Sequence, residues 1–386
     1  MAVGALFPRG FRAAGVTAGI KASGRPDVAL VAADRAVPAA AVFTRSATAA
    51  PPVLVSRAHA AGGAIRAVLV QSGNANAATG ERGMHDAERM AALVAEGLNC
   101  PVEQVLVAST GVIGVPLPMD RVEAGIADAV AALGDDGAAA AEAIMTTDAA
   151  PKTAERAVGE ARVGGMAKGA GMIRPDLGTM IAVVTTDAAL DAAQCDALLR
   201  EAVDATFNCI TVDGCTSTSD MVALLASGEA GPVDEAEIGE AIRGVCEDLA
   251  LQIVRDGEGA HRIARWEVSG AADDAAARRI AYAVAEAQLV RCALNGGDPN
   301  WGRIVAALGV AGEPVAADRI AIAIGGHVVC RGGASVDGVD QAAVDAAAAE
   351  PTVEIAIDLG LGEGSAVIWA SDLSKLYVEL NAEYTT

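Results

Sequence analysis

The sequence is poor in the residues and motifs that mark common catalytic and metal sites. It has 4 histidines in 386 residues, and its 7 cysteines are scattered without a CxxC spacing. That distribution argues against both a zinc site and a disulfide framework. The chain also lacks GxxxxGK[ST], GxSxG and HExxH. A phosphate-binding loop, a nucleophile elbow and an HExxH metalloprotease site are therefore excluded, and we expect no metal ion.

Basic residues and long apolar runs are also scarce. Lys plus Arg number 28 against 50 Asp plus Glu, which gives a formal net charge of −22. Binding to a phosphate backbone depends on clustered Lys and Arg, so nucleic acid is not an expected partner. The longest uncharged stretch, 105–119, contains two glycines and two prolines and is too short for a membrane span. Residues 1–12 lack the pattern of a signal peptide, so we expect a cytoplasmic protein.

What the sequence does have is a regular alternation of helical and strand patterns, and 53% of its residues are hydrophobic. This alternation predicts an α/β or α+β fold with buried sheets. Helices are predicted at 81–98, 119–133, 191–206, 234–255 and 273–292. Strands are predicted at 68–71, 105–108, 180–184, 221–225, 266–268, 352–358 and 365–370, with a hairpin over 320–330 that turns at Gly325-Gly326.

One unusual segment is a Thr-Gly turn at Thr110-Gly111. The apolar strand 105–107 runs directly into it. A turn of this kind can direct a hydroxyl and a backbone N–H at a ligand. It can equally be an ordinary turn that ends a strand.

A second unusual segment is the glycine-rich stretch 164–178, which leads into Thr179 and an apolar strand. A threonine hydroxyl can attack the preceding carbonyl, and hydrolysis of the resulting ester frees a threonine with its own α-amine. That amine has a reference pKa of about 7.7–8.0, so it can act as the base for its own hydroxyl without a histidine. A simple glycine-rich loop is the alternative.

Two further segments combine polar residues in an uncommon way. The run 213–220 is rich in Ser, Thr and Asp and contains Cys215. We expect self-bonded turns there rather than a cysteine nucleophile, because no base is positioned beside Cys215. The C-terminal residues 381–386 follow a strand-like Leu376-Tyr377-Val378 and suggest a docked chain end.

Together these segments resemble the ornithine acetyltransferase family, also called glutamate N-acetyltransferase. Ten motifs carry the resemblance in order along the chain: GFRAAGV (10–16), VFTR (42–45), SGNANA (72–77), STGVIG (109–114), IMTTD (144–148), KGAGMIRPDLGT (168–179), DGCTSTSD (213–220), DGEGA (256–260), DPNWGR (298–303) and NAEYTT (381–386). The resemblance implies an αββα-type α/β sandwich with a smaller C-terminal α/β lobe.

The resemblance also implies self-processing between Gly178 and Thr179. The fragments 1–178 and 179–386 would stay together as α and β chains and form a heterotetramer of two of each. Thr179 would then take an acetyl group from N-acetylornithine and pass it to glutamate by a ping-pong route. No metal or organic cofactor is implied, although acetyl-CoA serves some members as a second acetyl donor.

Particular residues of this sequence match the functional positions of the family. The oxyanion pair maps onto Thr110 and Gly111, beside the nucleophile Thr179. The substrate contacts map onto Thr147, Lys168, Thr179, Glu258, Asn381 and Thr386. Lys168 and the neutral donors suit substrate carboxylates, and Glu258 suits the ammonium group of N-acetylornithine.

The sequence departs from the family pattern at a few positions. Gly178 stands where alanine is usual, and Asp176-Leu177 replaces Asn-Met. His261-Arg262 replaces Thr-Lys, and Cys292 and Asn295 lie in another altered stretch. Three alternatives remain open: a self-processing N-terminal threonine amidase or aminopeptidase, a related acetyltransferase of a secondary-metabolite pathway such as that of clavams, and an uncleaved binding protein.

Overall fold

The structure, a computed structural model, describes residues 3–174 and 180–383. Within these residues it contains fifteen strands. They are β1 (Phe11–Val16), β2 (Val28–Phe43), β3 (Ala64–Asn74), β4 (Val105–Val112), β5 (Lys152–Val158), β6 (Ala161–Lys168), β7 (Ile181–Ala188), β8 (Ile210–Thr211), β9 (Met221–Gly231), β10 (Ile263–Ala271), β11 (Ala321–Ile324), β12 (His327–Arg331), β13 (Ala334–Ser335), β14 (Thr352–Asp358) and β15 (Gly364–Ser371).

The same residues form eleven α-helices. They are α1 (Pro51–Ala60), α2 (Gly80–Leu98), α3 (Met119–Ala131), α4 (Gly137–Ala143), α5 (Ala192–Ala205), α6 (Glu235–Arg255), α7 (Asp274–Ala285), α8 (Gln288–Gly296), α9 (Trp301–Leu308), α10 (Gln341–Ala348) and α11 (Lys375–Glu383). Within the described residues, none of these helices is both long and apolar enough to cross a membrane.

The chain divides into two compact units. The first contains the described residues up to 208 together with Thr216–Ile253, and the second contains Cys209–Cys215 and the described residues from 254 onward. The predicted division into 1–178 and 179–386 concerns processing rather than compactness, and it stays a prediction.

The first unit is built on one mixed sheet. Its strand order is β4-β3-β2-β9-β7-β6-β5, with β1 paired to β2. The pairs β3–β4 and β7–β9 are parallel, and the other pairs are antiparallel. Apolar residues of α2 recur every three or four positions, for example Met90 and Val94, and pack with α3 against one face of β2, β3 and β4. The opposite face packs against α4.

The second unit has its own sheet and core. The strand order is β13-β12-β11-β14-β10-β15-β8, with β10–β14 and β15–β8 parallel. Helices α7 to α10 pack against it around the buried Trp266. Gly325 and Gly326 both have positive φ, as the tight turn of the predicted β11–β12 hairpin requires. The predicted α/β class, with buried mixed sheets and a smaller C-terminal lobe, is confirmed.

Several local predictions need correction. The helix predicted over 273–292 is two helices, because Ala287 has an extended ψ of 118° that no glycine or proline signals. Leu376-Tyr377-Val378 is not a strand but part of α11, whose first turn is capped by the Ser374 hydroxyl accepting the Tyr377 N–H at 3.1 Å.

The glycines at 164 and 165 also have a different role from the predicted loop. Both lie inside β6. A Cβ on Gly164 would come within 2.0 Å of the Gly4 carbonyl oxygen. Gly164 therefore permits close backbone packing rather than a turn.

Candidate active site

The Thr110-Gly111 pair lies at the carboxyl end of β4. The strand continues through both residues to Val112, so the turn predicted at Thr110-Gly111 is wrong. Pairing with β3 becomes irregular at Gly73 and Asn74. Gly111 has a φ of +132°, and a Cβ there would meet the Gly73 carbonyl carbon at 2.4 Å. Only glycine fits this position without moving the neighbouring backbone.

Lys168 lies at the end of β6 and reaches the same place. Its side chain is buried, with 8% of the residue exposed, and its Nζ donates a hydrogen bond to Thr110 Oγ1 at 3.2 Å. The structure thus brings together two predicted site residues that are 58 positions apart. Thr147, another predicted contact, is exposed and follows α4.

Asp148, next to Thr147, was quoted in a motif but not predicted to act in the site. Its Oδ1 accepts hydrogen bonds from Lys152 Nζ and the Gly169 N–H, each at 2.6 Å, and its Oδ2 accepts one from the Thr146 N–H at 2.9 Å. Burial raises its pKa, but Lys168, Lys152 and these bonds outweigh burial and lower the pKa to about 2. A buried carboxylate therefore joins the segments that carry Thr147 and Lys168. We call Thr110, Gly111, Lys168 and Asp148 the oxyanion cluster, after the role that the family resemblance predicts for Thr110 and Gly111.

Lys21 is a second residue that sequence reasoning missed. Its ammonium donates to the carbonyls of Pro26 at 2.6 Å and Ala143 at 3.3 Å, the latter at the end of α4. Burial lowers its pKa to about 8, against the opposing effect of Asp27. A Cβ on Gly73 would lie 3.0 Å from Lys21 Cγ, so the lysine stem supports the β3–β4 edge. The sequence feature that could have pointed to Lys21 was its position just after the GFRAAGV motif.

In the second unit, Glu258 and Asn381 form a pair. Asn381 Nδ2 donates to Glu258 Oε2 at 2.8 Å and also to the Tyr377 carbonyl at 3.0 Å. Gly259 has a φ of +66°, and a Cβ there would come within 2.5 Å of the Tyr377 nitrogen. Glycine at 259 therefore lets the first turn of α11 lie against the Glu258 turn. We call Glu258 and Asn381 the amide–carboxylate pair.

A buried arginine and a tyrosine support this pair. Arg291 lies 6.0 Å from the centre of the Tyr377 ring, and the Tyr377 hydroxyl donates to Asp213 Oδ2 at 3.4 Å. Burial, Asp213, Cys215 and Glu258 together raise the pKa of Tyr377. Tyr377 thus stays a neutral donor that anchors α11.

The departures at Arg262 and Asn295 contact each other. Arg262 Nη1 donates to the Asn295 carbonyl at 2.5 Å, and Asn295 Nδ2 donates to Asp372 Oδ2 at 2.7 Å. Asp372 also accepts the His261 N–H at 3.1 Å. His261, Arg262 and Asn295 therefore belong to one hydrogen-bonded group, of which His261 and Arg262 follow Glu258 closely in sequence.

The run 213–220 has the expected self-bonded turns. The Cys215 N–H donates to Asp213 Oδ1, and the Ser219 N–H donates to Ser217 Oγ, both at 3.1 Å. Burial and Asp213 raise the pKa of the Cys215 thiol, so it is a poor nucleophile. At the end of the run, Asp220 is almost fully buried, and burial raises its pKa well above the ordinary value.

The remaining predicted residues, Gly178, Thr179 and Thr386, lie outside the described residues. What the structure does describe is the strand that follows Thr179. Ile181, the first residue of β7, pairs with Lys168 on one side and Met221 on the other. The predicted contacts Thr110, Gly111, Thr147 and Lys168 belong to the first unit, and Glu258 and Asn381 belong to the second. The assignment of roles to these residues stays a prediction.

Comparison with known proteins supports the resemblance along the whole chain. A sequence model of the ArgJ family matches residues 12–386. The arginine biosynthesis bifunctional protein ArgJ of Thermobifida fusca is 47% identical over 382 residues, which cover 98% of this chain and 99% of that protein.

Two solved structures are similar to parts of the chain. The crystal structure of the arginine biosynthesis bifunctional protein ArgJ of Bacillus halodurans is 39% identical, with a TM-score of 0.50, and covers 52% of this chain and 97% of that one. An ornithine acetyltransferase of Mycobacterium tuberculosis, solved with ornithine, is 45% identical with a TM-score of 0.44 and covers 46% of this chain and 96% of that one. From the family match and the full-length relative, the chain belongs to the ArgJ family.

Proposed function

We propose that this protein transfers an acetyl group from N-acetylornithine to glutamate, as a step of arginine biosynthesis, and that Thr179 carries the acetyl group between the two substrates. Membership of the ArgJ family supports the pathway. The observation that carries the chemistry is the hydrogen bond from Lys168 Nζ to Thr110 Oγ1. An ammonium has donors only, so it occupies a lone pair of the hydroxyl and leaves the hydroxyl proton for another acceptor.

That acceptor is the oxyanion of the tetrahedral intermediate. The Thr110 hydroxyl and the Gly111 N–H stand at the same strand end, and Lys168 adds a positive charge in a buried setting. Electrostatic stabilisation of this kind is strongest where water is excluded. In our proposal Thr179 Oγ attacks the acetyl carbonyl, and its α-amine takes the hydroxyl proton and passes it to the ornithine nitrogen as the carbon–nitrogen bond breaks. The amine of glutamate then attacks the acetyl-threonine ester and gives a proton to the α-amine of Thr179, which returns it to Thr179 Oγ as the ester bond breaks.

The substrate groups have matching partners. Lys168 suits the carboxylate that both substrates carry. The amide–carboxylate pair offers Glu258 to the side-chain ammonium of N-acetylornithine and Asn381 to a neighbouring polar group. Thr147 and Thr386 complete the proposed contacts.

The proposal includes cleavage between Gly178 and Thr179, because only cleavage gives Thr179 an α-amine. The solved Bacillus halodurans chain supports processing in this family: 97% of it aligns with 52% of this chain, so it is about half as long. We propose that the fragments 1–178 and 179–386 remain associated and assemble as a heterotetramer of two α and two β chains.

Two further parts of the proposal concern the acetyl donor and the cellular location of the reaction. We propose acetyl-CoA as a second acetyl donor, consistent with the bifunctional name of the Thermobifida relative. We place the reaction in the cytoplasm, which fits a step of amino-acid biosynthesis carried out by a member of the ArgJ family.

The test combines measurement of intact mass with an assay of acetyl transfer. Denatured intact masses of the purified protein and of Thr179→Ala are compared, and both are assayed with N-[¹⁴C]acetylornithine in the presence and absence of glutamate. We expect two fragments meeting at Gly178/Thr179 and glutamate-dependent formation of labelled N-acetylglutamate, with one uncut, inactive chain for the variant. Release of free acetate that glutamate does not divert would contradict the transferase and favour an amidase. An uncut chain in both samples would contradict catalysis by Thr179.

A further inference from the structure

The SGNANA motif (72–77) contacts the loop that leaves Gly111, although the proposed reaction does not use the motif. Asn74, the last residue of β3, is buried, with 4% of its surface exposed. Its amide Nδ2 donates to the carbonyl oxygens of Val115 at 3.0 Å and Pro116 at 3.4 Å. One buried side chain therefore holds two consecutive residues of this loop.

The backbone of the motif is bonded to the same loop. The Ala75 N–H donates to the Val112 carbonyl at 2.9 Å. The Gly114 N–H donates to the Ala77 carbonyl at the same distance. Between these two bonds, Ile113 packs against the small cluster that contains Ala75 and Ala77. The loop is therefore attached to the motif along its whole length.

The outer part of the loop has little packing of its own. Val115 is 49% exposed, and a Cβ on Gly114 would meet nothing within 4 Å. A segment with few buried apolar contacts opens easily unless hydrogen bonds hold it. For Val115 and Pro116, the amide of Asn74 supplies those hydrogen bonds.

Asn74 is also joined to Thr110 and Gly111 through the backbone. It pairs with both Thr110 and Val112, where the β3–β4 ladder is irregular. A Cβ on Gly111 would come within 2.6 Å of the Asn74 nitrogen. The donors of a catalytic site have to be held within about 0.5 Å of their productive positions. β4 holds the backbone before Gly111, and Asn74 holds the loop after it.

Backbone strain at the end of the motif fits a functional frame. Asn76 and Ala78 have φ values of +46° and +55°, which residues other than glycine seldom adopt. Strain of this kind persists where the surrounding structure enforces it, and it collects at functional sites. The Asn76 side chain is fixed at 2.8 Å by the Thr79 hydroxyl and by the Gly83 carbonyl.

We propose that Asn74 is a positioning residue for acetyl transfer: its amide holds the 112–116 loop so that the Thr110 hydroxyl and the Gly111 N–H stay aimed at the oxyanion. This inference rests on the proposed function, since it gives the oxyanion to these two donors. It assigns the SGNANA motif a role in catalysis that requires no contact with a substrate.

The experiment measures kcat and both KM values for acetyl transfer from N-acetylornithine to glutamate. Asn74→Asp has the same shape and keeps the Oδ1 that accepts the Asn76 N–H at 2.8 Å, but it has no donor for the two carbonyls. We expect kcat to fall about 10–100-fold, because misplacing a catalytic group by about 1 Å can cost about 10²-fold. Both half-reactions pass through an oxyanion that exists only near the transition state, so the KM values should change little.

Two precautions keep the measurement specific to positioning. Intact mass gives the cleaved fraction of each variant, and kcat is expressed per cleaved chain. Asn74→Ala removes the same donor without adding a charge, and it replaces Asn74→Asp if the aspartate variant does not fold.

A double variant, Asn74→Asp with Thr110→Val, separates positioning from general damage. If Asn74 acts by aiming the Thr110 hydroxyl, part of its effect disappears once that hydroxyl is gone. The loss of kcat in the double variant should then be smaller than the product of the two single losses, by about threefold or more. Two effects that multiply fully would show that Asn74 acts independently of Thr110.

Ser56→Ala is the matched control. Ser56 is fully buried, and its Oγ bonds both the N–H and the carbonyl of Val107 at 2.7 Å, in the middle of β4. The substitution removes a buried side-chain bond to the strand that carries Thr110, but it does not touch the loop. It should lower the melting temperature and leave kcat unchanged.

The outcomes distinguish this inference from the proposed function. If the Asn74 variants have the wild-type kcat, if the two effects multiply fully, or if Ser56→Ala lowers kcat as much, the positioning role is refuted and acetyl transfer by this protein stands. If the wild-type protein transfers no acetyl group to glutamate, the proposed function itself fails.

Discussion

The oxyanion cluster and the amide–carboxylate pair are built in different ways. The oxyanion cluster is buried at strand ends: Lys168 is 8% exposed, Asp148 is 3% exposed, and neighbouring backbone fills the space beside Gly111. The amide–carboxylate pair lies on a turn and on the helix α11, where Asn381 is exposed. Charges interact more strongly where water is excluded. We therefore expect substitutions in the cluster to affect catalysis and stability far more than substitutions in the pair.

Gly111→Ala should have the largest effect. The new Cβ would lie 2.4 Å from the Gly73 carbonyl carbon, and the φ of +132° is unfavourable for alanine. We expect a loss of ~4 kcal/mol or more in the free energy of unfolding, measured by urea denaturation. Gly114→Ala is the control, because Gly114 also has a positive φ, +81°, but nothing lies within 4 Å of its Cβ position. Gly114→Ala should lower the free energy of unfolding by only ~1–2 kcal/mol. Equal losses would mean that backbone crowding at Gly111 is unimportant.

Asp148→Asn tests the charge balance of the cluster. At neutral pH it leaves the buried Lys152 ammonium without its carboxylate, and we expect a loss of ~3–5 kcal/mol. The folded-state pKa of Asp148, about 2, is below its ordinary value of 3.8. The stabilisation of the folded state by the ionised carboxylate is therefore complete above about pH 4 and is lost as pH falls toward 2. The difference in unfolding free energy between wild type and variant should therefore shrink by ~2 kcal/mol between pH 6 and pH 2. A difference that is constant with pH would contradict the lowered pKa.

A residue of this cluster can be predicted from the sequence when its role depends on neighbours in sequence. It cannot be predicted when its role depends on partners far away along the chain. Thr110 and Gly111 could be found from local motif alone, although the strand extends past the expected turn. The role of Asp148 could not, because it depends on Lys152 and on Gly169, which is 21 positions away. Lys21 was missed for the same reason, since its partner Ala143 is 122 positions away.

The fold shows the same limit. The β11–β12 hairpin was predicted, since its two-glycine turn is a local signal. The break between α7 and α8 was not, because a continuous apolar pattern crosses Ala287 without a glycine or a proline. The helix at 375–383 was mistaken for a strand, because three residues do not distinguish the two periods. In such segments tertiary packing determines which secondary structure forms and where it ends.

Thr110→Val should reduce kcat by about 10²–10³-fold, the usual effect of removing one oxyanion donor. Valine keeps the volume but loses the hydroxyl that Lys168 orients. Thr110→Ser keeps that hydroxyl and should retain most of the activity. The check is kcat for acetyl transfer, with KM measured for each substrate. If valine and serine variants are equally impaired, the methyl group and not the hydroxyl matters at this position.

Glu258→Gln should give the smallest effect of this series and a selective one. Glu258 is partly exposed, so its pairing with a substrate ammonium is worth only ~1–1.5 kcal/mol, which is about tenfold in affinity. We expect KM for N-acetylornithine to rise about tenfold while KM for glutamate, which has no side-chain ammonium, changes little. Glu379→Gln on the exposed surface of α11 removes the same charge and should change neither constant. A rise in both KM values for Glu258→Gln would mean that Glu258 positions α11 through Asn381 instead of contacting the ammonium. The amide–carboxylate pair would then affect substrate binding only through the position of α11.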